Sequence, residues 1–235
     1  MASRIASTLC KEPRTVIRTL CRVRVSAGNT RAAQSWIVVT ASYAAELSQA
    51  GFGRLPADKL VSLRAVGVTA AYLAELRRYG YTGLSADAVT GMKAVGVTAT
   101  YIEQMNDAGF GRLSADDLTS FRALGVTPEY VRELQAMGFR NLSADDVESM
   151  RALGVNAAYV TEMRGAGLDR LDAETLSELR AMGVTGAYIR ELAEVGLTGL
   201  TARQLAELKG ARVSAAYVRE LEAAGFRRLS ATELV

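Results

Sequence analysis

The sequence predicts an all-α fold, an α-solenoid of about seven 29-residue two-helix repeats with the last one incomplete. Three observations carry that prediction. A tyrosine recurs at Tyr43, Tyr72, Tyr101, Tyr130, Tyr159, Tyr188 and Tyr217, always 29 residues apart. A Gly-Val opening, completed by Thr or Asn, recurs at Gly67, Gly96, Gly125, Gly154 and Gly183 on the same period. The composition favours helix: there are three prolines in 235 residues, while Ala, Leu, Glu and Arg are abundant. A fixed period between about 20 and 50 residues marks a solenoid or repeat array. Units then begin at 38, 67, 96, 125, 154, 183 and 212.

Residues 1–35 precede the repeats and read as a basic arm, poorly ordered or loosely helical. The arm holds Arg4, Lys11, Arg14, Arg18, Arg22, Arg24 and Arg31 against Glu12, a net +6, which leaves the rest of the +3 chain at −3. The arginines interrupt any secretory h-region; an Arg- and Ser-rich, acid-poor arm is also the composition of an organellar transit peptide. No apolar run approaches the 18 or more residues of a membrane span. Both cysteines, Cys10 and Cys21, sit in the arm, so no disulfide framework holds the repeats. A reducing, cytoplasmic setting is expected.

Residues 36–235 read as the solenoid domain, and each unit as two short helices. The first starts after Thr69, Thr98, Thr127, Asn156, Thr185 or Ser214, all good N-cap residues. Pro128 follows Thr127 at the first helical position, where its missing N–H costs nothing. Tyr130, Val131, Leu134 and Met137 keep helical spacing and predict a buried stripe. Glycine then stands in all seven units, at Gly51, Gly80, Gly109, Gly138, Gly167, Gly196 and Gly225. A helix-ending residue with positive φ explains that choice.

A short connection follows, and the second helix starts after Ser85, Ser114, Ser143, Asp172, Thr201 or Ser230. Asp117, Asp146, Gln204 and Glu233 stand three residues after their caps, the spacing of a capping box. Leu118, Phe121 and Leu124 are expected in the core. Alanines near the helix end, Ala65, Ala94, Ala123, Ala152 and Ala181, are expected to let neighbouring helices approach closely. Helices of this length are marginal alone, so stability must come from stacking on neighbours.

The end units depart from the pattern. Val38 and Arg212 replace the opening glycine, and Pro56 replaces the serine cap. An apolar run, Trp36 to Val39, stands at one end, and Leu234 and Val235 at the other. Two unlike apolar faces predict a heterologous, head-to-tail association into a homo-oligomer or filament.

The recurring pattern, Gly-Val-Thr followed by Tyr, Glu, Gly, Leu-Ser-Ala-Asp-Asp and Arg-Ala, resembles a tandem repeat found in bacterial proteins. It occurs C-terminal to some membrane metallopeptidases of the β-lactam-sensor type and in uncharacterised relatives. The resemblance covers residues 38–235. Peptidases of that type need a His-Glu-x-x-His helix and membrane spans; this chain has neither, so no peptidase activity carries over. The resemblance implies a protein- or envelope-interaction role.

The chain has no histidine, which excludes Ser-His-Asp and Cys-His catalysis and histidine metal sites. No phosphate-binding glycine motif occurs. A Glu column (Glu46, Glu75, Glu133, Glu162, Glu191, Glu220) and a cationic column (Arg64, Lys93, Arg122, Arg151, Arg180, Lys209) read as ion pairs between helices or as charges snorkelling from the core edge. The Asp116–Asp117 and Asp145–Asp146 pairs read as complements of helix N-terminal dipoles rather than Ca²⁺ ligands. The tyrosine column could stack ligands or bases; its spacing instead favours core tyrosines whose hydroxyls reach solvent or a backbone group.

The sequence therefore nominates no catalytic, cofactor-binding or metal-ligating residue, and no cofactor. The expected function is a non-enzymatic scaffold with a protein partner and a capacity for self-assembly. The alternative is a nucleic-acid-binding solenoid that uses the basic arm and the connection arginines Arg54, Arg112, Arg140, Arg170, Arg227 and Arg228. The net −3 of the repeats weighs against wrapping a polyanion.

Overall fold

A computed structural model describes residues 21–23, 37–169 and 171–235. Thirteen helices are present among them, and they form the all-α repeat solenoid that the period implies. The chain divides into two compact units, Met1–Thr90 and Gly91–Val235. No helix among the described residues is long and apolar enough to cross a membrane.

In the first unit, β1 (Cys21–Val23) pairs antiparallel with β2 (Ile37–Val39), Arg22 opposite Val38. Of the basic arm, residues 1–35, the described residues include only this short strand. The rest of residues 1–35, and Trp36, lie outside the described residues. The apolar run expected to be an uncovered end face is, at Ile37–Val39, this paired strand, and Val39 is buried. Helices α1 (Ala41–Leu47), α2 (Ala57–Ala65) and α3 (Ala70–Arg78) follow, and α4 (Ala86–Ala94) begins here. Tyr43, Leu47, Leu63, Val68, Leu73 and Leu76 form this unit's core.

The second unit continues with α5 (Ala99–Met105), α6 (Ala115–Leu124), α7 (Pro128–Ala136), α8 (Ala144–Ala152) and α9 (Ala157–Gly165). It ends with α10 (Ala173–Ala181), α11 (Gly186–Glu194), α12 (Ala202–Gly210) and α13 (Ala215–Ala223). Second helices pack on second helices, α6 on α8, α8 on α10 and α10 on α12. First helices do the same, α9 on α11 and α11 on α13. The layer between them is the core, from Phe121 and Leu134 to Leu192 and Leu208, all fully buried.

Local chemistry sets both ends of each helix. The Tyr130 amide donates to Thr127 Oγ1 at 3.2 Å, and the Tyr159 amide to Asn156 Oδ1 at 2.9 Å. Ser114 with Asp117, Ser143 with Asp146 and Thr201 with Gln204 close full capping boxes. Pro56 offers no side-chain cap to α2. At the C-terminal end of α7, Gly138 has φ +98° and the Phe139 amide reaches back to the Leu134 carbonyl. Only glycine takes that conformation without a Cβ clash. Arg212 stands in the opening-glycine column and adopts φ +60° without glycine's freedom.

Four expectations are corrected. Leu124 is 38% exposed, because it is the last residue of α6 and lies beyond the buried turn that ends at Phe121. Ala65, Ala94, Ala123, Ala152 and Ala181 are exposed, so they do not mediate close helix approach. Residues 231–233 form a turn rather than a second helix, although Glu233 still accepts from the Ser230 amide at 2.8 Å. Leu234, expected in an uncovered end face, is buried there; Tyr217, Phe226 and Val235 are the exposed apolar residues nearby.

Candidate functional site

The repeats meet at one recurring joint, and the tyrosine column builds it. Five of the phenols, each in the first helix of its unit, donate to the valine carbonyl that precedes the next unit's first helix. Tyr43 reaches Val68 at 3.0 Å, Tyr101 reaches Val126 at 2.9 Å and Tyr130 reaches Val155 at 2.7 Å. Tyr159 reaches Val184 at 3.0 Å and Tyr188 reaches Val213 at 2.8 Å. These tyrosines are 3–6% exposed. Burial raises the Tyr130, Tyr159 and Tyr188 hydroxyls to about 12, which keeps them neutral donors. Of the two readings of this column, the structure shows the core tyrosine bonded to backbone at these five positions, whereas Tyr217 is 44% exposed.

The cationic column completes the joint differently from an ion-pair ladder. Arg64, Arg122, Arg151 and Arg180 lie over the rings of Tyr43, Tyr101, Tyr130 and Tyr159 at 4.7–5.1 Å. Lys209 lies 4.2 Å from the Tyr188 ring centroid. The ring face attracts the cation without removing it from water as a buried carboxylate pair would. Arg151 and Arg180 also donate through Nε to the Leu124 and Leu153 carbonyls of the preceding unit at 3.2 Å. A cation at a helix C-terminus is favoured by the exposed carbonyls there. The fixed 21-residue offset between cation and tyrosine carries this pairing in the sequence, but offset alone does not separate a ring partner from a carboxylate.

A second contact was not foreseen. In three units the eleventh residue reaches back to the end of the preceding first helix. Gln135 Nε2 donates to the Ala108 carbonyl at 2.7 Å, and Arg164 Nη2 to the Met137 carbonyl at 2.6 Å. Arg77 lies over Gly51, its Nη2 2.5 Å from where a Cβ on that glycine would be. This position reads Ser48, Arg77, Asn106, Gln135, Arg164, Ala193 and Glu222, so it leaves no mark in a pattern search.

Beside that residue, each of three junctions carries a groove framed by equivalent positions. Between residues 96–124 and 125–153 it measures about 580 Å³. Phe110, Val131, Phe139 and Leu142 give it an apolar lining, and Arg132, Gln135, Arg140 and Asn141 a polar one. At the junction that holds Arg77 the equivalent space is about 50 Å³. At the junction that holds Glu222, between Leu197 and Phe226, it is about 240 Å³. The side chain at the eleventh position thus differs wherever the space differs.

The charges singled out in the sequence fall into separate places. Asp117 and Asp146 cap helices through the Ser114 and Ser143 amides, both at 2.9 Å. Glu148, on α8 near Asp117 and Asp145, is held above the usual carboxylate range, first by burial and then by those neighbours. Of the glutamate column, Glu162 accepts from the Gly186 amide at 2.8 Å. Arg54, Arg112, Arg140, Arg227 and Arg228 are exposed on connections, as expected, and Arg170 lies outside the described residues. Among the described residues no three His, Cys, Asp or Glu side chains are grouped to hold a metal ion. No protein-family model matches this chain, and no curated protein matches it.

Proposed function

We propose that this chain is a non-enzymatic repeat scaffold that holds a protein partner along the edge where neighbouring repeats meet. One observation carries the reading: the joints are uniform, while the grooves beside them vary in size and charge. The tyrosine, the cation and the glycines recur to hold the array. The residues that line the grooves change from one junction to the next, from Arg77 to Gln135 to Glu222. Repeat proteins present extended binding surfaces in this way. The histidine-free composition and the resemblance of the repeat to segments with an implied interaction role support the same reading.

The rival partner is nucleic acid, favoured by the exposed connection arginines. The net −3 of residues 36–235 opposes it.

Affinity capture on the full chain, followed by chemical cross-linking, separates the two. The scaffold reading expects a discrete protein that survives nuclease treatment and cross-links to residues on the groove edges. Retention that nuclease abolishes, or that falls steeply with salt, contradicts it.

A further inference from the structure

We infer that the groove between residues 96–124 and 125–153 receives an aromatic or long aliphatic side chain of a partner peptide. Carboxylates flanking that side chain are held by Arg132 and Arg140, and Gln135 is the residue that leaves the groove open. This rests on the scaffold reading above and names the partner chemistry of one junction.

The size fits. A cavity of about 580 Å³ falls within the roughly 300–1,000 Å³ of sites that enclose ligand groups. The lining fits as well: Phe139 is buried at 8% exposure, and Phe110 is fixed edge-on to the buried Phe121 at 5.4 Å between ring centroids. An incoming apolar side chain therefore meets rigid rings rather than mobile chains.

The rim sets the sign of the partner. Arg140 is exposed and makes no ion pair among the described residues. Arg132 pairs with Glu129 at 3.2 Å, but both are more than half exposed. Such a pair is weak, so an arriving carboxylate can displace it. Two arginines beside a groove with aromatic residues in its lining complement a peptide that carries acid next to its anchor. Two guanidinium forks also suit carboxylate geometry better than a lone ammonium would.

Gln135 decides the opening. Its amide is tied to the Ala108 carbonyl at 2.7 Å, and both residues belong to the lining of the open groove. An arginine at this position keeps the equivalent bond, as Arg164 does to Met137, but adds bulk and charge over the preceding helix end. Where Arg77 stands, about 50 Å³ remains. Gln135→Arg is therefore a closing substitution that the repeat already tolerates in two other units.

The test uses the full chain and a fluorescein-labelled peptide, blocked at both ends, with one phenylalanine flanked by glutamates. Anisotropy gives the affinity, and backbone amide NMR shifts give the location. Saturable binding with shifts at Gln135, Phe139 and Arg140 is expected. Replacing the phenylalanine by alanine, or the glutamates by lysine, should weaken it by at least about tenfold. Gln135→Arg and Arg140→Glu should each do the same, with the amide spectrum still that of the folded chain.

Equal binding of the lysine peptide, equal binding by Gln135→Arg, or no saturable binding of the acidic peptide overturns the inference. So does displacement of the peptide by an oligothymidine of matched charge together with tighter retention of that oligonucleotide. If the peptide fails while partner cross-links still map to other groove edges, the scaffold reading stands and only this assignment falls.

Discussion

Replacing Tyr130 by phenylalanine removes one oxygen and tests the joint with little other disturbance. The hydroxyl donates to the Val155 carbonyl at 2.7 Å in a buried setting. Val155 precedes the N-cap Asn156 of α9, and among the described residues no backbone N–H donates to its carbonyl. The variant therefore strands a buried acceptor while Arg151 stays over the ring at about its present 5.0 Å. An unsatisfied buried group costs about 1–3 kcal/mol, more than the net loss of an ordinary hydrogen bond. With a urea slope of about 2 kcal/mol per M, the unfolding midpoint should fall by about 0.5–1.5 M. Urea unfolding followed by far-UV circular dichroism reads this directly. Tyr130→Ala should cost about 3–5 kcal/mol, since it also opens a cavity. A Tyr130→Phe midpoint that moves less than 0.2 M, roughly 0.4 kcal/mol on the same slope, would refute the joint as the source of cohesion.

Alkaline titration should expose the same bonds. Tyr72, Tyr130, Tyr159 and Tyr188 have hydroxyls raised from 10.0 to about 12, so folding favours their neutral form. That stabilisation is complete below pH 10 and is lost as pH rises through 12; phenolate absorbance and circular dichroism should change together there, and less so in Tyr130→Phe. Gly138→Val, at φ +98° with open space around the new Cβ, should destabilise the chain by more than about 1 kcal/mol through backbone strain alone, measured by the urea midpoint. Arg212→Gly should act in the opposite sense, raising stability by about 0.5–1 kcal/mol in the same assay, because it relieves a side chain held at φ +60°.

Helix starts, helix ends and the period were legible in the sequence because they depend on local chemistry. Thr127 before Tyr130, Ser114 before Asp117 and the column through Gly138 each require a particular residue type at a particular offset. The tyrosine's partner was legible only as solvent or a backbone group, since the Val155 carbonyl comes near only through stacking. The cations read as ion pairs or as charges at the core edge, and their ring partners were not named by spacing. Arg151 lies over the Tyr130 ring and donates to the Leu124 carbonyl, partners that its column of like charges does not name. Leu124 looked like core by spacing, yet it falls one turn past the buried stripe at Phe121. The groove was invisible because its controlling residue, Gln135, works through size rather than type. A position that varies from Arg77 to Glu222 looks like an ordinary solvent-facing site until its reach to the previous helix end is known.

Removing one whole repeat tests most directly the claim that each unit holds only its neighbours through the same joint. Deleting residues 154–182 would bring Tyr130 against Val184, the same contact type with the same residue types. In a nearest-neighbour array that junction re-forms. The account predicts unchanged helical ellipticity per residue and a single cooperative urea transition for this 29-residue deletion. It predicts loss of both when residues 154–180 are removed instead, since the register of tyrosine, cation and glycine then breaks. An unfolded or aggregated chain after the 29-residue deletion, or equal tolerance of the two deletions, would contradict it.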